Sequence, residues 1–307
     1  MIEHKPEEWR FFIDGSNSSL KGVLLHNGNF HPSVPIVFSA CLKENYANLK
    51  LILSKVNYNR HQWKFCGDFK VISIVLGLQG GYIKHPCFLC MWHSRKDEIH
   101  WEVGKDGKPM KLGERVSMKK GDVNMINEPL IDKYKVLLPP LHIKLRLMKQ
   151  FVKALVKTNL SFIYIKNLFP KVSKAKIKGG IFVGPQIRKL MQDDEFIKIL
   201  TPVEKKAWLG FKNVIDNFLG NTKDPKYEQI VSDMLASFSE LGCRMSIKVY
   251  FLHAHLNYFP DNLGDFSEEH GERFHQDIKV QSFRLRFDRG GTKKSKANAC
   301  AFAMHRL

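Results

Sequence analysis

The sequence predicts an α/β fold: a mixed sheet first, then a large α-helical insertion, then a last helix. Three observations predict it. Apolar runs of strand length, separated by turn-forming clusters, fill residues 8–40, and a short one at 63–67 ends at Asp68. Helical periodicity takes over from about residue 137 to 250. Acidic residues fall at the ends of two of the early runs, Asp14 and Asp68, and again at Glu272 beyond the helical region.

Taken in order, EWRFFID (residues 8–14) reads as a strand that stops in GSNSS, a cluster of turn formers. LKGVLLHNGN is a second strand ending on the turn pair Asn27-Gly28, and SVPIVFSAC is a third. ENYANLKLILSKV carries Leu49, Ile52, Leu53 and Val56 on one helical face. Residues 63–67 form a short fourth strand that ends at Asp68. FKVISIVLGLQ then reads as a helix stopped by Gly80-Gly81, and YIKHPCFLCMW as a fifth strand carrying Cys87 and Cys90. This β-β-β-α-β-α-β order is that of the RNase H-like fold, in which acids of the first and fourth strands sit side by side. Asp14 and Asp68 fall at those two places.

Residues 95–130 are polar, with Gly104, Gly107 and Gly113, and read as an irregular connection. Helices are expected over 141–157, 185–199, 202–219 and 225–241, the third opened by Thr201-Pro202. The chain therefore divides into a first core part (8–94), a mainly α-helical basic insertion (95–250), a final core helix with the last acid (251–280, starting near Ser267) and a basic, poorly ordered tail (281–307).

Composition narrows the function. Lys and Arg outnumber Asp and Glu by 49 to 30, a formal charge of +19 that favours a polyanionic partner. No apolar run approaches the ~18–20 residues that span a bilayer, and MIEHKPEEWR does not read as a signal peptide, so no membrane association is expected. The six cysteines, Cys41, Cys66, Cys87, Cys90, Cys243 and Cys300, are sparse and uneven, which fits a reduced intracellular setting. Phosphate-loop, dinucleotide-binding and serine-hydrolase motifs are absent.

Three constellations carry chemistry. Asp14, Asp68 and Glu272 are candidate ligands for two Mg²⁺ or Mn²⁺ ions, because phosphoryl transfer needs oxygen donors at strand ends and on an adjoining helix. Each also has a plainer reading, as a turn former or a helix-dipole partner. Among the late acids, Glu268 shares a helical face with Glu272, while Glu269 points elsewhere. Cys87 and Cys90 have the spacing of half a zinc site, for which His253 and His255 are the distant candidates; two buried structural cysteines are the alternative. Residues 133–192 contain fourteen Lys or Arg and no Asp or Glu, and Lys144, Lys149, Lys153 and Lys157 are the candidate nucleic-acid contacts within them.

Together these residues resemble a DDE transposase catalytic core of the Transib and V(D)J recombinase type. Asp14-Gly15 is similar to the first acidic motif, and Asp68 with Cys87-x2-Cys90 to the second acid and its zinc cysteines. Leu141-His142 resembles a motif of the helical insertion, and Ser267-Glu268-Glu269-His270-Gly271-Glu272 the run that holds the last acid. The resemblance covers about residues 8–280. It implies metal-dependent DNA cleavage and strand transfer in the nucleus, by a homodimer on DNA, with two Mg²⁺ or Mn²⁺ ions and a structural Zn²⁺. The chain departs from the pattern where the position five before His255 is Tyr250, and in starting 13 residues before Asp14. The expectation is thus an N-terminally truncated or domesticated element. Two alternatives stay open: a catalytically inactive DNA-binding protein that retains the fold, and an RNase H-type nuclease acting on RNA–DNA hybrids.

Overall fold

A computed structural model describes residues 5–15, 19–39, 42–97, 100–102 and 113–267. The chain forms two compact units. One comprises Met1–His93, Leu112–Pro139 and Asp265–Leu307, and the other Ser94–Lys111 and Pro140–Gly264. Among the described residues there are four strands and eleven α-helices, a mixed α/β composition.

The first unit is built on a sheet of β1 (Trp9–Gly15), β2 (Leu20–His26), β3 (Val34–Ser39) and β4 (Lys64–Gly67), in the order β3-β2-β1-β4. β1 pairs antiparallel with β2, and β2 with β3, whereas β1 and β4 run parallel. All of β2 and most of β1 are buried, which is why both read as near-continuous apolar runs rather than alternating ones. α1 (Tyr46–Lys55) starts where Asn45 accepts the Asn48 N–H, and it buries Leu49, Ile52 and Leu53 as its spacing requires. α2 (Tyr58–His61) is a single turn, and α3 (Phe69–Val75) follows β4.

Two expectations fail in this unit for identifiable reasons. α3 ends at Val75, well before Gly80-Gly81. Gly77 has φ +74 and lies so close to the Asn127 carbonyl that no Cβ would fit, while Ile126 N–H donates to Gly77 O and Leu130 N–H to Val75 O. The helix is stopped by Gly77 itself, three residues before the glycine pair, with Leu78 N–H donating to Ser73 O at 2.9 Å, and the Ile126–Leu130 segment packs on that stop. Residues 82–92 form no regular strand either. Val136–Leu137 takes the outer edge of β4 instead, through a Phe65–Val136 bridge and a Leu137 N–H to Phe65 O bond of 2.7 Å. The Cys87–Cys90 segment is an irregular turn tied to residues 113–115.

The second unit is helical throughout: α4 (Pro140–Ala154), α5 (Leu160–Leu168), α6 (Lys174–Lys178), α7 (Gly184–Met191), α8 (Asp194–Ile199), α9 (Pro202–Asn217), α10 (Tyr227–Glu240) and α11 (Ile247–Ala254). Its core is aromatic, with Trp208 packed 5.0 Å from both Phe151 and Phe196, and Phe211 bridging Trp208 to Phe238. The helix expected over 185–199 is two helices. Asp193 separates them by accepting the Glu195 and Phe196 N–H groups as the α8 cap, and it also takes the Tyr164 hydroxyl. No helix among the described residues is long and apolar enough to cross a membrane. Residues 251–264 belong to this unit, and 112–139 to the sheet unit. The helix expected from Ser267 and the tail lie outside the described residues.

Candidate functional site

Sheet register assembles the acidic site. Ile13 pairs with Gly67 across the parallel β1–β4 ladder, so the next residue of each strand, Asp14 and Asp68, emerges beside the other at the same sheet end. Both are partly exposed. Asp68 is also the cap of α3: one carboxylate oxygen accepts the Val71 N–H at 2.7 Å, which fixes the side chain and leaves its second oxygen without a hydrogen-bond partner among the described residues.

A third carboxylate, not foreseen from the sequence, lies close enough to feel the charges of both, though the three do not bring ligand atoms within 4.8 Å of one another. Register carries the same sheet end across to β3, since Gly15 pairs with Leu20 and Leu20 with Ser39. The chain leaves β3 there and reaches Glu44 just before α1. Glu44 presses against the backbone of Gly15, where an added Cβ would lie 2.9 Å from its Cγ. Its side chain is only 5% exposed; one oxygen takes the Lys70 ammonium at 2.6 Å, and the other is buried with no hydrogen-bond partner among the described residues. Burial pushes the Glu44 carboxyl above its ordinary value; the Lys70 hydrogen bond opposes this, while the charges of Asp68 and Asp14 add to it. The signal in the sequence was topological: an acid shortly after the third strand must start from the same edge as the ends of the first and fourth.

Glu268, Glu269 and Glu272 lie outside the described residues. Their approach is described as far as Ser267. Arg10, fully buried in β1, donates to His26 O at 2.6 Å, Asp265 O at 2.9 Å, Asn29 Oδ1 at 3.0 Å and Ser267 O at 2.8 Å. The Phe266 ring lies 4.9 Å from the Lys64 ammonium and 6.0 Å from the Arg10 guanidinium. Asp265–Ser267 is thus anchored on the strand that carries Asp14.

Cys87 and Cys90 are both buried thiols, with sulfurs within 4.8 Å of each other. The Leu89 N–H points at Cys87 Sγ at 3.4 Å, and the Arg115 guanidinium holds the turn through the carbonyls of Cys87, His85 and Val123. Burial, then the neighbouring Cys90 thiol, pushes the Cys87 thiol well above its ordinary value. Two adjacent thiols without a cation resist ionisation, and a bound Zn²⁺ would reverse that. The pair is compatible with zinc, and its donor set does not suit Mg²⁺ or Mn²⁺. In the helical unit, His253 lies on α11 against Trp101 and Tyr250 and is hydrogen-bonded to the Glu102 backbone; burial pushes it down to about 4. His255 follows the helix as its C-cap residue, its ring against Tyr250 and Phe251.

The basic residues do not form one stripe. Lys149 and Lys153 share a face of α4, but Lys144 lies five residues before Lys149, about 140° around the helix. Lys157 is past the helix end. Its ammonium donates to Val152 O at 2.7 Å and Lys153 O at 3.3 Å, capping the last turn.

Two family models match the chain, each described as a domain of unknown function: DUF8703 over residues 1–131 and DUF8704 over residues 140–220. No curated protein matches it.

Proposed function

We propose that this chain is the RNase H-like core of a DDE transposase-type enzyme, cleaving and joining DNA strands with two Mg²⁺ or Mn²⁺ ions. The observation that carries this reading is the parallel β1–β4 register, which puts Asp14 and Asp68 side by side. The sheet order β3-β2-β1-β4 agrees with the first four strands of that fold. An all-carboxylate donor set suits hard divalent cations, and the unpartnered buried oxygen of Glu44 is a group such a cation would satisfy. Bound ions would activate the attacking water or 3′-hydroxyl and neutralise charge on the leaving oxygen.

In this reading Asp14 and Asp68 are the principal ligands. Glu44 adds a third carboxylate, and the resemblance makes Glu272 the last. The α3 cap bond orients Asp68, and Lys70 holds Glu44 in place. Zinc would sit on Cys87 and Cys90. The further ligands expected from the sequence are His253 and His255. Zinc analysis of the purified chain, with Cys87→Ser, His255→Ala and His253→Ala beside it, checks that assignment. Zinc kept by the Cys87→Ser chain would remove it.

The decisive variant is Asp68→Asn, since Asn still caps α3 while the charge is gone. Mn²⁺-dependent nicking of duplex DNA should fall at least about a hundredfold, ~2.7 kcal/mol in the barrier. Undiminished nicking refutes the catalytic assignment, and a preference for RNA–DNA hybrid over duplex DNA transfers it to an RNase H-type nuclease. One observation favours a second reading. The Lys70 ammonium already neutralises part of the charge on Glu44, as it would in an inactive DNA-binding protein that retains the fold. Salt-sensitive DNA binding without cleavage under any metal would select that reading.

A further inference from the structure

We propose that the helical unit carries a phosphate cradle centred on Arg146, formed with Lys149 and Lys153 of α4, Lys157 in the following turn and Lys178 at the end of α6, and that it grips successive phosphates of a nucleic-acid backbone. The proposal rests on the nucleic-acid reading above but not on cleavage.

Spacing places the first three groups together. Arg146, Lys149 and Lys153 stand at i, i+3 and i+7, on the face opposite the buried Ile143, Leu147, Met148 and Phe151. Tertiary packing adds the rest. Lys157 is drawn back onto the end of α4 by its bonds to Val152 O and Lys153 O, with its ammonium 4.6 Å from the Phe162 ring centre. The turn after α6 docks on α4 through Gly180, which has φ +65 and comes so close that a Cβ would meet Lys149 O at 2.7 Å. That contact brings Lys178, two residues earlier, to the same place.

What the cluster lacks is an acid. Among the described residues Arg146 Nε is buried with no hydrogen-bond partner, and no ion pair involves any of the five cations. The local sequence cannot supply one, because residues 133–192 contain no Asp or Glu. The charges oppose one another instead. Burial, then Arg146 and Lys153, lowers Lys149; burial, then Lys153 and Lys178, lowers Lys157; burial alone lowers Arg146. A partly desolvated guanidinium with unused donors, ringed by ammonium groups, is the arrangement that a phosphodiester relieves. Arg146 is absent from the lysine periodicity of the sequence, and it is the member whose burial sets this group apart from a solvated surface.

The test is fluorescence anisotropy of a labelled DNA duplex with the full chain, across a salt series. Each of Arg146→Gln, Lys149→Gln and Lys178→Gln should flatten the slope of log K against log salt by about 0.9, the value of one lost phosphate contact. Arg146→Gln should also weaken binding about tenfold. Lys205→Gln, an exposed lysine on α9 outside the cluster, should leave affinity and slope unchanged. Lys178 is exposed, so its variant remains informative even if Arg146→Gln fails to fold. Parent slopes in Lys178→Gln and Lys149→Gln, or a parent chain that binds no duplex, would overturn the cradle. A chain that never nicks DNA but shows flattened slopes in the cradle variants fails the cleavage reading and keeps this one.

Discussion

Arg10 shows how one residue can carry more structure than its neighbourhood in the sequence implies. Within EWRFFID it passes as the polar member of a strand, yet it is fully buried and its guanidinium joins β1, the turn after β2 and the Asp265–Ser267 segment. Arg10→Met would remove three charge-assisted bonds, to the carbonyls of His26, Asp265 and Ser267, each worth about 1.5–3 kcal/mol, although His26 O and Asp265 O keep the N–H groups of Asn29 and Gly28. A loss of about 3 kcal/mol or more is expected in urea unfolding. Arg10→Lys should restore only part, because an ammonium cannot span acceptors held by a planar fork. A Met variant within about 0.5 kcal/mol of the parent would remove the anchoring role. The same contrast runs through the acidic site. Asp14 and Asp68 were legible because each ends an apolar run, and strand ends are visible in sequence. Glu44 was not, because only the return of β3 to the same sheet edge gives it those neighbours.

At the scale of elements, starts were read better than stops. Helix starts are written locally. Thr201 accepts the Glu204 N–H while Glu204 accepts the Thr201 N–H at 3.0 Å, and Pro202 supplies the first turn. The two stops that the sequence reading missed are also local, and quieter: a single Gly77 in the left-handed conformation after α3, and Asp193 capping α8 two residues after α7 ends. The expected fifth strand failed because a Cys-x-x-Cys turn held by Arg115 outweighs the apolar pattern around it. The α9 cap offers a graded test of local against tertiary contributions. Thr201→Ala should cost about 1 kcal/mol, the usual worth of a cap. Glu204→Ala should cost more, about 2–3 kcal/mol, because the buried carboxylate also accepts the Ser161 hydroxyl at 3.0 Å and so ties α9 to α5. Equal losses in the two variants, measured by chemical denaturation, would show that the link to α5 contributes nothing.

For the whole chain, the excess of 49 basic over 30 acidic residues predicts a polyanionic partner without locating either the partner or the acids that matter. The sheet puts Asp14 and Asp68 at one edge, and cation linkage can test the proposed site without any cleavage assay. A cation that binds the folded chain alone raises stability by RT ln(1 + [L]/Kd), about 2.7 kcal/mol at a hundred times Kd. Thermal unfolding in Mn²⁺ should therefore shift upward for the parent and much less for Asp14→Asn and Asp68→Asn. Glu44→Gln should separate the two roles of that carboxylate. Without cation it should match or exceed the parent, because a buried charge is removed and Lys70, 59% exposed, is left to water. With Mn²⁺ it should fall behind, because one oxygen donor has gone. The two melting curves should thus change order as Mn²⁺ is added. Parallel shifts in Glu44→Gln and the parent would exclude Glu44 from the cation site and leave it a structural partner of Lys70. The same shift in Asp68→Asn as in the parent would dissolve the site altogether.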